Sequence, residues 1–305
     1  RYYASGATLS TAALGVFLDP SYEGDGLKIK EIIKRGPFAV KKNEVTPGSI
    51  IEKIDGTDIK AGEDYNALLD GKAGKNIRLT IKNAKGKRFD LTIKAISQGA
   101  QQELLYKRWV DRNRAIVDSV SHGRIAYVHV KAMNSESFRT VYSELLSEKN
   151  RTKDAVIVDE RHNGGGWLHD DLCTLLSGKQ YQEFVPHGKV VGKDPFNKWT
   201  KPSCVLICED DYSNGHGFPW VYKELGIGKL IGAPVAGTMT AVWWETLMDR
   251  SLVFGIPQVG CRDMRGTFGE NTTLQPDIEV YNSPEDYITG HDTQLIRAVE
   301  EMMKK

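Results

Sequence analysis

Residues 211–220, Asp-Tyr-Ser-Asn-Gly-His-Gly-Phe-Pro-Trp, decide how the second half of this chain is read. Directly before them stands an apolar run, Cys204-Val205-Leu206-Ile207-Cys208, with the length and character of a buried strand. Directly after, residues 218–225 have a helix-like pattern. Ser213 therefore falls where a buried strand turns into a helix, and Gly215 and Gly217 let that turn be tight. Such a turn lifts a hydroxyl away from the backbone and sets the first helical N–H groups beside it, as a nucleophile requires. The competing reading is a helix N-cap, a common task for serine. Local sequence favours the cap, and the decision rests on the rest of the chain.

A second unit of the same kind lies upstream. Residues 155–158 form an apolar run that ends in Asp159-Glu160-Arg161-His162-Asn163-Gly164-Gly165-Gly166-Trp167, and residues 168–176 continue as a helix. Three consecutive glycines let backbone N–H groups face a cleft with no Cβ in the way. A phosphate cradle would need the Gly-Lys-Ser/Thr of a nucleotide loop, which is absent. An oxyanion site fits better. Around these turns the pattern predicts a strand at 124–130, a helix at 135–146, an irregular stretch at 178–201 and a short apolar segment at 230–232. A hairpin at 242–256 and a final helix near 292–303 follow. Alternating strands and helices predict an α/β core. His129 sits within its strand among apolar neighbours and reads as a structural histidine.

The first hundred residues read differently. Residues 1–11 are small and polar with two tyrosines, the expected tail of a segment that lies upstream. From residue 12 to 97 the chain reads as a β-rich module. It begins with a strand at 13–17 that contains Gly15, followed by an alternating strand at 27–33. Next comes a Pro47-Gly48 turn, then two strands joined by Asp55-Gly56, a strong hairpin signal. A short helix at 63–69 and a closing hairpin around residues 84–86 complete it. Residues 101–117 read as a helix or extended connector, within a third region that runs from 98 to 305.

Composition narrows the function classes. Forty-one basic against 40 acidic residues leave a net charge of +1, which gives no electrostatic case for nucleic acid or a membrane surface. No apolar run is long enough to span a bilayer. None of the four cysteines, Cys173, Cys204, Cys208 and Cys261, has zinc-ligand spacing to a histidine, and Cys204 and Cys208 read as small core residues. No metal or cofactor is expected. The compartment, cytoplasm or periplasm, is open.

Two resemblances follow from these motifs. The segment GPFAVKKNEVTPGSIIEKIDGTDI (36–59) resembles a PDZ domain. That resemblance implies a peptide-binding edge beside Leu14, Gly15 and Val16, where an added strand would pair and its terminal carboxylate would meet backbone N–H groups. VDERHNGGG, DDYSNGHGFP, IGAPVAGT and GENTTLQPDIEV, in that order, resemble the tail-specific and tricorn serine peptidases, more closely the C-terminal half of tricorn protease. The implied fold is a PDZ-like domain followed by an α/β core of the ClpP/crotonase type, and the implied substrates are peptides or unfolded proteins, with the full-length protein a homo-oligomer. The implied roles are nucleophile for Ser213, oxyanion donors for Asn214 and for Gly165 or Gly166, and acid for Glu270. Glu270 reads alternatively as a turn residue capping Asn271. Tail-specific proteases place a lysine base where this chain has Thr238, so a serine–histidine arrangement is implied instead. In that arrangement the base histidine precedes the PDZ module, so these residues are expected to hold nucleophile, oxyanion donors and acid but not the base. Two rivals stand beside a peptidase: a peptide-binding scaffold without turnover, and an acyl-transfer enzyme of the crotonase type.

Overall fold

The computed structural model describes residues 10–39 and 44–304, so residues 1–9 of the expected tail at 1–11 and part of the segment at 36–59 lie outside the described residues. The chain forms two compact units, one running to Asp111 and one from Arg112 onward.

The first unit is a β-rich module, as expected. Its strands are β1 (Ala12–Ala13), β2 (Val16–Leu18), β3 (Leu27–Ile32), β4 (Ile50–Ile54), β5 (Thr57–Asp58), β6 (Asn76–Lys82), β7 (Arg88–Lys94) and β8 (Ile96–Ser97), with a 3-10 turn at Tyr65–Leu69. The main sheet runs β2-β3-β4-β6-β7, with β5 on β4, and β1 pairs antiparallel with β8. Period-2 alternation in β6 sends Ile77, Leu79 and Ile81 into a core with Ile29, Ile51 and Ile54. The Asp55-Gly56 hairpin takes positive φ at both residues, 49° and 88°, the turn that matches strand twist. The expected strand at 13–17 is instead two strands. Gly15, at φ 71°, breaks it where its backbone lies against Pro37. Helix α1 (Gln98–Val120) follows, longer than the segment read from sequence.

The second unit is built on strands β9 (Ile125–His129), β10 (Ala155–Asp159), β13 (Ser203–Ile207), β14 (Lys229–Gly232) and β17 (Ile278–Glu279). They form one sheet in the order β17-β14-β13-β10-β9, every pair parallel. β9, β10 and β13 are buried throughout, as a sheet covered on both faces requires. Strand order follows chain order, so right-handed crossovers bring α2 (Ser135–Leu145), α4 (His169–Leu176) and α5 (Asn214–Glu224) together. Short α3 (Glu148–Arg151) follows α2, while α7 (Thr293–Met303) packs on β9, β10, β13 and β14. The core joins Val128, Val141, Val156, Val158, Leu172, Val205, Ile207, Phe218 and Tyr222.

The stretch at 178–201 contains a small hairpin, β11 (Gln182–Phe184) with β12 (Gly192–Asp194), which the sequence reading missed because no apolar run marks it. The expected hairpin at 242–256 is β15 (Ala241–Thr246) with β16 (Val253–Val259). A further helix, α6 (Pro284–Thr289), begins at Ser283 with a capping box closed by Asp286.

Candidate active site

Because the sheet is parallel, the turns leaving β10 and β13 emerge at the same edge, on neighbouring strands. Ligand sites in open parallel sheets form at this edge. The β13 turn delivers Ser213 in a strained conformation, φ 58° and ψ −117°. A non-glycine residue held there costs about 1–3 kcal/mol and persists only where its surroundings enforce it. Ser213 occupies the N-cap position of α5, yet its side chain makes no capping hydrogen bond. Its hydroxyl, half-buried, bonds to nothing among the described residues. The cap reading thus describes the position of Ser213 and not what its side chain does.

The backbone donors around the elbow can be followed one by one. The Ser213 N–H donates to Thr238 Oγ1 at 2.8 Å. The Gly215 N–H donates to the Tyr212 carbonyl, and those of His216 and Gly217 donate to the Ser213 carbonyl. The Asn214 N–H is left with no acceptor among the described residues. Its side chain points elsewhere: Asn214 Oδ1 accepts from the Leu168 N–H at 2.8 Å and the His169 N–H at 3.1 Å. Asn214 Nδ2 lies 2.8 Å from His169 Nδ1. Asn214 therefore caps α4 from the neighbouring turn, a job usually done by a residue of the same segment.

The glycine turn lies directly against the elbow. Gly165 has φ +91°, and a Cβ there would sit 2.6 Å from Ser213 Cβ. Gly166 has φ +134°, and a Cβ there would sit 2.1 Å from the Met133 carbonyl oxygen. The Gly165 N–H is bonded to Asn163 Oδ1 at 2.9 Å, whereas the Gly166 N–H has no acceptor among the described residues.

Two buried residues that the sequence reading did not single out lock the turns together. Asn163 Nδ2 donates to the Val130 carbonyl at 2.7 Å, and its own carbonyl accepts from the Tyr212 N–H at 2.9 Å. Asp211 accepts from the Asn163 N–H at 3.1 Å and the Cys208 N–H at 2.8 Å. Burial pushes the Asp211 carboxyl up to about 8 despite those donors. Neighbouring Glu160 is fully buried, both its oxygens lack partners among the described residues, and burial pushes its pKa well up, which favours the neutral acid. The signal of Asn163 and Asp211 was present, since both lie within the quoted motifs, but a polar residue in a turn reads as solvent-facing.

A third loop, residues 233–240, touches both sides. Thr238 holds Ser213, and the Thr240 N–H donates to Glu270 Oε2 at 2.8 Å. The Asn271 N–H bonds the Gly237 carbonyl at 2.9 Å. Glu270 thus braces Thr240 and does not cap Asn271. Among the described residues, no histidine side chain hydrogen-bonds the Ser213 hydroxyl; His216 touches Ser213 only through its backbone N–H. His216 Nε2 lies 3.2 Å from the Thr272 carbonyl oxygen, its Nδ1 is buried without a partner, and burial lowers its pKa. His129 Nε2 faces the Arg161 carbonyl, consistent with a structural histidine. Arg161 itself is buried between Asp159 at 2.7 Å and Asp292 at 2.9 Å, tying β10 to the cap of α7. The sequence shows no zinc-type spacing, yet the fold brings His162, Cys208 and Asp210 to within 4.8 Å of one another at their ligand atoms.

A parallel α/β core with an elbow of unpartnered hydroxyl packed on a glycine turn defines the class: a hydrolase-type core preceded by a β-rich module. The chain belongs to peptidase family S41, whose model matches residues 124–280, and residues 22–98 match the tricorn protease PDZ domain. It is 28% identical over 259 residues to the tricorn protease of Thermoplasma acidophilum, covering 85% of this chain and 24% of that protein. It is 28% identical over 289 residues to the tricorn protease homolog of Saccharolobus solfataricus, covering 93% of this chain and 26% of that one. The crystal structure of the tricorn protease superposes with a TM-score of 0.80 at 25% identity, covering 96% of this chain and 29% of the other. The chain thus spans about a quarter of the length of these relatives. No helix among the described residues is long and apolar enough to cross a membrane.

Proposed function

We propose that Ser213 is the nucleophile of a serine peptidase, attacking a peptide carbonyl to form an acyl-enzyme that water then hydrolyses. The observation that carries this reading is the elbow itself, strained and aimed with its hydroxyl unspent, beside an unspent Asn214 N–H. A tetrahedral oxyanion would accept from the Asn214 N–H and from the glycine turn. Gly166 is the better second donor, because the Gly165 N–H is already bonded to Asn163. One such donor is worth about 2.7–4 kcal/mol of transition-state stabilisation.

Glu270 is the proposed acid, orienting and charge-balancing a histidine base. Since no histidine side chain among the described residues bonds the Ser213 hydroxyl, the proposed base comes from elsewhere in the full-length polypeptide or from a second copy. These 305 residues alone are then weakly active or inactive. The substrates are peptides or unfolded chains, and the full-length protein is a homo-oligomer. β2 (Val16–Leu18) is an edge strand of its sheet, so a peptide strand added there would start from Val16, with Leu14 and Gly15 just before it. The Gly15 N–H there now donates to Gln101 Oε1 at 2.9 Å, a contact that a peptide carboxylate would replace. Ser213→Ala in the full-length polypeptide should abolish hydrolysis of a fluorogenic peptide, and unchanged hydrolysis would remove Ser213 from the mechanism.

A further inference from the structure

We propose that His162, Cys208 and Asp210 form a binding site for a zinc-type divalent cation. The three donors are an imidazole nitrogen, a sulfur and a carboxylate oxygen, the ligand types that zinc prefers. His162 Nδ1 lies 3.0 Å from Asp210 Oδ2 and 3.8 Å from Cys208 Sγ, and all three ligand atoms fall within 4.8 Å of one another. A tetrahedral zinc with bonds of about 2.3 Å to sulfur and about 2.0–2.1 Å to nitrogen and oxygen needs separations of about 3.6 Å (S to N) and about 3.3 Å (N to O). These two separations sit within a few tenths of an ångström of those values, the shorter one being a His162–Asp210 hydrogen bond that an ion would replace; the third, Cys208 Sγ to Asp210, lies within 4.8 Å and would close by up to about 1.2 Å on binding.

The ligands stand on a fixed frame. Cys208 follows β13 directly, and His162 lies in the turn after β10, the adjacent parallel strand. His162 holds a positive φ of 67°, and its N–H donates to Cys208 Sγ at 3.2 Å, a contact suited to a ligating thiolate. Cys208 is buried while the His162 and Asp210 side chains are exposed, so a cation can enter from solvent and keep water as its fourth ligand. Burial makes the Cys208 thiol a poor acid in the metal-free protein, so binding exchanges a proton for the ion: Cys–SH plus M²⁺ gives Cys–S–M⁺ plus H⁺. His162 ligates through Nδ1 as neutral imidazole, with its proton on Nε2. The ion would then tie together the turn that carries the glycines and the turn that carries Ser213. That consequence rests on the peptidase reading; the site itself does not.

The test is titration of the reduced, metal-free chain with Co²⁺, followed by displacement with Zn²⁺. The expected result is one equivalent bound, a tetrahedral cobalt spectrum with a thiolate-to-metal charge-transfer band, and loss of that spectrum on adding Zn²⁺. Cys208→Ser should abolish the charge-transfer band. His162→Ala and Asp210→Asn, at exposed side chains where the fold is least at risk, should each weaken binding at least about tenfold. Cys261→Ser and Ser213→Ala should leave the spectrum unchanged, the latter separating this site from the catalytic reading. Absence of stoichiometric binding to the wild-type chain would overturn the proposal. So would a band that persists in Cys208→Ser, or affinity unmoved by both His162→Ala and Asp210→Asn.

Discussion

Replacing Gly165 by alanine tests the contact on which the site depends. A Cβ at this position would lie 2.6 Å from Ser213 Cβ, 2.7 Å from the Tyr212 carbonyl oxygen and 3.1 Å from the Asn214 nitrogen. Ordinary carbon contacts begin near 3.4 Å, so elbow or turn must retreat by most of an ångström. The backbone adds its own cost, because φ is +91° and an L side chain there loses about 1–2 kcal/mol. Overpacking adds about 1–3 kcal/mol. The sum, about 2–5 kcal/mol, corresponds to a fall in melting temperature of roughly 4–20 °C for a unit of this size. Gly164→Ala is the matched control, since its Cβ would meet nothing within 4 Å and its φ is not left-handed. It should change stability by no more than about 0.5 kcal/mol. Calorimetric melting of both variants reads the difference without any need for turnover. In the full-length polypeptide, Gly165→Ala should also cost about 10²-fold in kcat/KM, the effect of a nucleophile misplaced by about 1 Å. If the two variants melt together, the close packing of turn against elbow is wrong.

Two further perturbations follow from the buried charges. Arg161→Met strands the Asp159 carboxylate, fully buried beside it, and should destabilise by about 3–5 kcal/mol in urea unfolding; a loss below about 1 kcal/mol would contradict the ion-pair geometry. Asp211 keeps its proton in the fold up to about 8 against an ordinary 3.8, so the folded state binds that proton more tightly than the unfolded one. Its contribution to stability is therefore complete below pH about 4 and is lost as pH rises through about 8. Asp211→Asn should flatten the decline of stability across that window, and an unchanged slope would show that Asp211 is not the group titrating.

Much of the fold was legible because its signals are local. Short, fully apolar runs bounded by turn signals, such as the one at 204–208, have the length and character of covered strands, and Asp55-Gly56 can take the two positive φ angles of a tight hairpin. The break at Gly15 was not legible, because it depends on the approach of Pro37 from a distant turn. The same holds within the site. Ser213 and the glycines announce themselves by spacing, but the N–H accounting that separates Gly166 from Gly165 depends on the side chain of Asn163. Thr238 was read as a missing base, whereas in the fold its hydroxyl holds the backbone of Ser213. The cluster of His162, Cys208 and Asp210 joins residues on two separate turns, a proximity only the sheet creates.

The central claim is that Ser213 is a nucleophile and not a cap. It is tested most directly by treating the full-length polypeptide with a fluorophosphonate probe and mapping the adduct by mass spectrometry. The account predicts a single phosphonylated serine in the peptide that contains residues 211–220, absent in Ser213→Ala. An adduct on any other residue, or labelling that survives Ser213→Ala, would contradict it.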